Sequence, residues 1–208
     1  TGVQTCALPI FSQLNGLDHL MQLPAIIRKI VWAADNGYDA VVHSNTFDPG
    51  IDGGRLSVSI PVLGPLRTTM HAAMTLSDRV GLLVPLDGHV PYTWRLLRTI
   101  GMESFVTDIL PIGVYGKDIK HRKDEMTDIS VKLIEGLVAQ GSQCIVPLGA
   151  ALIPHVVDPA VLQERSGVPV LNTIAVTLRF AEACVHLGMR QSPLTYPQAK
   201  LSSKDFAT

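Results

Sequence analysis

Apolar and polar positions along this chain follow two rhythms. Over LPAIIRKIVWAADN, residues 23–36, apolar side chains fall at Ile26, Ile27, Ile30, Val31 and Ala34, the spacing of one helix face. Gly37 ends that pattern, and YDAVVHSN (38–45) brings a short unbroken apolar run that fits a strand covered on both faces. The unit reads helix, glycine, strand, polar turn. It returns 104 residues later as SVKLIEGLVAQ (130–140), Gly141 and SQCIVPLG (142–149), so that Gly37 matches Gly141, Val42 matches Val146 and Asn45 matches Gly149. SIPVLGP (59–65) likewise matches GVPVLNT (167–173), each followed by a predicted helix, RTTMHAAMTL and AVTLRFAEACVHLG. Matched blocks in the same order predict an internal duplication.

The second half carries further elements: a strand in RVGLLVPLD (79–87), a helix around 91–100 and a strand in SFVTDILPI (104–112). Nothing upstream of Leu23 matches them, so the first half is expected to lack a strand, a helix and a further strand. Alternating strands and helices predict an α/β fold of two similar lobes, each a parallel sheet flanked by helices with right-handed crossovers. Residues 11–78 with 180–208 are expected to form the first lobe, and 79–179 the second. In such sheets ligands bind beyond the carboxyl ends of the strands. The polar turns at 43–50, 85–93 and 147–155, with 171–176 close by, are therefore expected to line one ligand cleft between the lobes. The opening TGVQTCALPI (1–10) lacks an initial methionine and resembles a translated sequencing-adapter fragment. It is expected to be a non-native leader in front of a missing N-terminal segment, which removes Cys6 from any site.

Composition narrows the function. With 208 residues, 47% hydrophobic and 17% charged, the chain is long enough to bury a full core. A formal charge of −1 supplies no field to attract nucleic acid or an anionic membrane, so neither is an expected partner. The densest basic cluster, KDIKHRKDE (117–125), is interrupted by acids and reads as a solvated turn and helix start. No apolar run reaches the roughly 18 residues of a membrane span, and no basic secretory start is present, so the expected location is cytoplasmic. Three scattered cysteines, Cys6, Cys144 and Cys184, make neither a disulfide framework nor a metal site. Cys144 and Cys184 are expected to be buried thiols.

GYDAVV followed by DPG (48–50), SIPVLGP before a helix containing Met70 and His71, DRVGLLVPLD and the strand end IVPLGAAL together resemble the aspartate/glutamate/hydantoin racemase superfamily, in its hydantoin-racemase-like branch. The resemblance runs from about Leu23 to Arg190. It implies two lobes related by a pseudo-twofold axis, a small-molecule substrate between them, no cofactor, and association into a homo-oligomer as an option. It also implies racemisation next to a carboxylate or cyclic amide carbonyl. One cysteine at a strand end of each lobe stands on each side of the substrate carbon, one thiolate removing the proton and the other thiol returning it. Turn amides bind the carbonyl or carboxylate as charge develops there.

Carried onto this chain, the first cysteine position falls on Asn45, counted back from DPG, or on Ser44 if the cysteine-Asn-Thr form is matched. The second falls on Gly149. Neither position holds a thiol, and an amide or a glycine exchanges no protons near neutral pH. His43 and His155 are the candidate substitutes, since imidazole titrates near neutrality. Alternatively, strand alternation turns His43 away and His155 flanks a surface turn. Ser44, Asn45 and Thr46 are candidate substrate contacts, as are Asp48, Asp87, Thr93, Gly149, Ala150, Ala151, Asn172 and Thr173. Against this, Asp48 also fits a turn residue whose carboxylate holds backbone amides, and Asn and Thr after strands serve as helix caps. The expected activity is a cofactor-independent racemase or isomerase with altered catalytic groups. The alternatives are a non-catalytic small-molecule binding protein and a lyase or decarboxylase on the same scaffold.

Overall fold

In a computed structural model, the residues described are 3–6, 16–114, 119, 121–199 and 205. The rest of the decapeptide leader, the side chain of Cys6, and Lys117, Asp118 and Lys120 of the basic cluster lie outside them. Strands and helices alternate: β1 (Val3–Cys6), α1 (Gly16–Asp35), β2 (Ala40–His43), α2 (Ile51–Ser57), β3 (Val62–Leu63), α3 (Pro65–Ala73), β4 (Val80–Val84), α4 (His89–Thr99), β5 (Val106–Pro111), α5 (Lys123–Ala139), β6 (Cys144–Pro147), α6 (Pro159–Ser166) and α7 (Thr173–His186). The chain divides into two compact units, Thr1–Thr68 with Thr177–Thr208, and Thr69–Val176. Both divisions fall inside helices, α3 and α7.

The first unit holds a parallel sheet in the order β1-β2-β3, and the second a parallel sheet in the order β5-β4-β6. This is the α/β architecture the sequence predicts. β2, β4 and β6 are buried at every position, which is why their sequences are unbroken apolar runs rather than alternating ones. In the first unit, Ile26, Ile30 and Val31 of α1 pack with Val41 and Val62. In the second, Ile134 and Leu137 of α5 pack with Leu83 and Ile145. The α1 positions are the helix face read from periodicity.

The two units repeat their hydrogen bonding as well as their sequence. The Val41 amide donates to the Pro61 carbonyl at 2.8 Å, and the Ile145 amide donates to the Pro169 carbonyl at 2.8 Å. Val41 pairs with Val62 in one sheet, and Ile145 pairs with Val170 in the other. SIPVLGP and GVPVLNT thus take the same place beside the strand each unit carries into its turn.

Several elements differ from the sequence expectation. Val3–Cys6, within the segment expected to be foreign, pairs in parallel with β2. α1 begins at Gly16 rather than Leu23, with Pro24 inside it. Its first turns expose Leu17, Leu20 and Met21, so the one-faced pattern that marks the rest of the helix is absent there. α2 was missed because IDGGRLS reads as glycine-broken loop. The glycines serve close packing instead: a Cβ on Gly53 would stand 2.6 Å from Ile27 Cδ1, and one on Gly54 would stand 3.2 Å from Val62 Cγ1. α6 was missed although its signals are in the sequence. Asp158 caps it by accepting the Ala160 amide at 2.9 Å, Pro159 starts it, and Gly167 ends it in the left-handed region.

Candidate functional site

The turn that leaves β2 is built from its own side chains. The Asn45 amide donates to His43 Nδ1 at 2.8 Å, the Phe47 amide donates to Asn45 Oδ1 at 3.0 Å, and the Asp48 amide donates to the Asn45 carbonyl at 3.2 Å. Asn45 therefore folds the chain as an Asx-turn, with its carbonyl oxygen spent on the backbone. The contact on Nδ1 decides the histidine tautomer. A ring nitrogen that accepts an amide proton carries none, so in the neutral ring the proton sits on Nε2. His43 is buried, at 4% exposure. In this arrangement it is a hydrogen-bond donor and not a proton acceptor. Ser44 and Asn45 are half-buried, whereas Thr46, at 1% exposure, and Phe47 pack inward.

Asp48 joins this turn to a second one. Its backbone is left-handed, with φ 54°. Its carboxylate accepts the Leu66 amide on Oδ1 at 2.8 Å and the Arg67 amide on Oδ2 at 2.9 Å, both at the start of α3. A carboxylate at a helix N-terminus is favoured by the amides and dipole there. The approach depends on Gly64, where a Cβ would lie against the Asp48 carboxyl group. The DPG and LGP motifs are thus two sides of one contact. As a residue Asp48 is half-buried, but its carboxyl group is enclosed, and burial pushes it up from 3.8 to about 6 against the opposing pull of the two amides, Arg55 and Arg67. With both oxygens spent on amides, Asp48 shapes the turn; that is the backbone-holding alternative.

In the second unit, β6 leads into Leu148, which is buried, and Gly149 at φ 86°. A Cβ on Gly149 would lie against the Pro85 ring. Position 149 therefore takes no side chain in this backbone, and Ala150, half-buried and without positive φ, is the first place past Leu148 where one fits. The Leu152 and Ile153 amides donate to the Gly149 carbonyl at 2.9 and 3.3 Å, while the Ala150 and Ala151 amides make no hydrogen bond among the described residues. His155 and Asp87 are exposed. Thr93 is not at the turn as expected. It lies inside α4, fully buried, and its hydroxyl donates to the His89 carbonyl at 2.7 Å. Asn172 caps α7 by accepting the Ala175 amide at 3.0 Å, and Thr173 is buried with its carbonyl accepting the Thr69 hydroxyl at 3.4 Å.

Cys144 and Cys184 are buried in the core of their units, and burial raises both thiols, Cys144 to about 11. Neither supplies a thiolate near neutral pH. Among the described residues, no cluster of His, Cys, Asp or Glu is arranged to hold a metal ion. No helix of these residues is long and apolar enough to cross a membrane. Sequence reasoning missed Gly64, the Leu66 and Arg67 amides, and the pair Arg55 and Tyr196 beside them. Their partners lie 18, 19 and 141 residues away, beyond any local pattern.

A family model for Asp/Glu/Hydantoin racemase matches residues 18–181 of the chain. The chain belongs to the Asp/Glu/hydantoin racemase family. It is 26% identical over 192 residues to a hydantoin racemase of Rhizobium meliloti, covering 91% of this chain and 79% of that one. It is 27% identical over 190 residues to a hydantoin racemase of a Pseudomonas species, strain NS671, covering 88% and 74%. An allantoin racemase structure from Pseudomonas fluorescens superposes with a TM-score of 0.82 at 20% identity, covering 92% of this chain and 80% of that one. The fold of this racemase-family chain is therefore that of a solved racemase.

Proposed function

We propose that this racemase-family chain acts on a small cyclic amide of the hydantoin type, at the carbon beside the ring carbonyl, with donors in place of the family's thiols. Similarity to two hydantoin racemases over most of the chain supports the substrate class. The observation that carries the mechanism is the His43 tautomer fixed by the Asn45 amide. With Nδ1 accepting an amide proton and Nε2 enclosed, His43 holds the turn whose donors polarise a carbonyl and does not abstract a proton itself. Asn45 Nδ2, with Ser44 beside it, supplies that polarisation. Such donors matter because enolisation moves negative charge onto the carbonyl oxygen. His155 and Asp87, both exposed, are the candidate bases carried over from the sequence; a cofactor has no part in this reading.

A non-catalytic binding protein is the second reading, favoured by the absence of space for an acid/base side chain at Gly149. Incubation in heavy water with hydantoins, allantoin and short amino acids separates the two. Deuterium at the carbon beside the carbonyl, lost in His155→Ala, supports the enzyme. Tight binding of a hydantoin without exchange supports the binding protein, and release of carbon dioxide from a carboxylated substrate supports a decarboxylase.

A further inference from the structure

We propose that Tyr196, on the C-terminal segment, is a positioning residue for the Ser44–Thr46 turn. A phenol oxygen offers one donor and two acceptor sites, and Tyr196 fills all three. Its Oη accepts from Arg67 Nη1 at 3.0 Å and from Arg55 Nη1 at 3.1 Å, and it donates to Asp52 Oδ1 at 3.4 Å. The Arg55 guanidinium also sits 5.4 Å from the centre of the Tyr196 ring. Asp52 and Arg55 belong to α2, which the chain enters directly from the Asp48–Gly50 end of the turn. Arg67 belongs to α3, and its amide is one of the two that hold Asp48. Tyr196 therefore ties together the two helix starts between which the turn is suspended.

The segment around Tyr196 is anchored on both sides. Gln191 meets the backbone of Val62 on the sheet-edge strand β3, at 3.3 Å to its amide, and the Ala199 amide donates to the Leu56 carbonyl at 2.8 Å. Arg55, at 6% exposure, donates from Nε to the Val62 carbonyl at 3.0 Å, so the clamp also grips β3. The hydrogen bonds to Tyr196 come from charged donors and are stronger than neutral ones. Removing the oxygen takes away the one group that both guanidinium groups share, so the link between α2 and α3 on either side of the turn is left to Asp48 and the ion pairs of Asp52. Ser44 and Asn45 then sample orientations in which their donors miss the substrate.

This role rests on the proposed use of the turn in substrate binding, but its test does not. Tyr196→Phe keeps the ring over Arg55 and removes only the oxygen. Amide hydrogen exchange in peptides covering residues 44–50 is expected to quicken roughly fivefold or more, because local opening sets exchange in such segments. Peptides from β4 and β6 in the other unit are expected to exchange at the wild-type rate. With a hydantoin that the wild type turns over, KM is expected to rise about fivefold with kcat within about twofold, the pattern of lost binding rather than lost chemistry. Gln191→Ala, which loosens the strap without touching either arginine, is expected to leave residues 44–50 protected. Unchanged exchange at 44–50 in Tyr196→Phe overturns the proposal, as does equal quickening across both units. A wild type that turns over none of the substrates defeats the racemase reading, while the exchange comparison still decides the role of Tyr196.

Discussion

Asp48 shows how one side chain carries both shape and pH dependence. Its folded proton affinity exceeds its unfolded one, 3.8 rising to about 6, so between those values the folded chain binds the extra proton. Its contribution to stability is therefore most favourable below about pH 4, declines as pH rises to about 6, and is flat above. The decline is on the order of 3 kcal/mol. Urea denaturation across pH 4 to 7 checks it: the wild type is expected to lose stability as the pH rises through that range, whereas Asp48→Asn, which cannot ionise, is expected to lack that decline. Gly149 makes the opposite point. Placing a thiol there as Gly149→Cys forces a side chain into left-handed backbone and against Pro85, and is expected to destabilise by about 2 to 4 kcal/mol. Ala150→Cys, where a side chain already stands, is expected to cost under about 1 kcal/mol by the same measurement. The sequence register places the family's second thiol on Gly149; only the backbone conformation reveals that no side chain fits there.

At the level of elements, what was legible in the sequence is what local pattern encodes. The face of α1 and the buried runs of β2, β4 and β6 come directly from pattern, and α5 from its match to α1, because burial repeats with the geometry of the element. α2 did not, since its glycines are explained by Ile27 and Ile30 on a helix far away in sequence. The sign of a glycine substitution separates the two cases. Gly136→Ala in α5 meets nothing within 4 Å and is expected to stabilise by about 0.5 to 1 kcal/mol through helix propensity. Gly54→Ala in α2 gains the same propensity, but its Cβ crowds Ile30 and Val62, both fully buried. Overpacking of about 1 to 3 kcal/mol outweighs the gain, so a lower denaturation midpoint is expected. The Asp48 clasp on α3 was illegible for the same reason as α2: both of its ends are ordinary turn motifs, and their meeting is a tertiary event.

For the whole chain, the duplication seen in sequence extends to matched strand pairings and matched proline carbonyls in the two units. That repetition accounts for why the family is legible in the chain, because the scaffold is encoded by core and turn residues that recur in both units. What the sequence alone left open was whether the strand ends still do chemistry, and the proposed answer is carbonyl polarisation by donors of the turn that His43 holds. The most direct test is proton NMR of 5-substituted hydantoins incubated with the protein in heavy water near pH 7.5, beside a His43→Ala variant. Loss of the C5 proton signal with the wild type, slowed by about 100-fold or more in the variant, is the predicted result. Exchange at the same rate in both proteins, or none in the wild type despite saturable hydantoin binding, would contradict it.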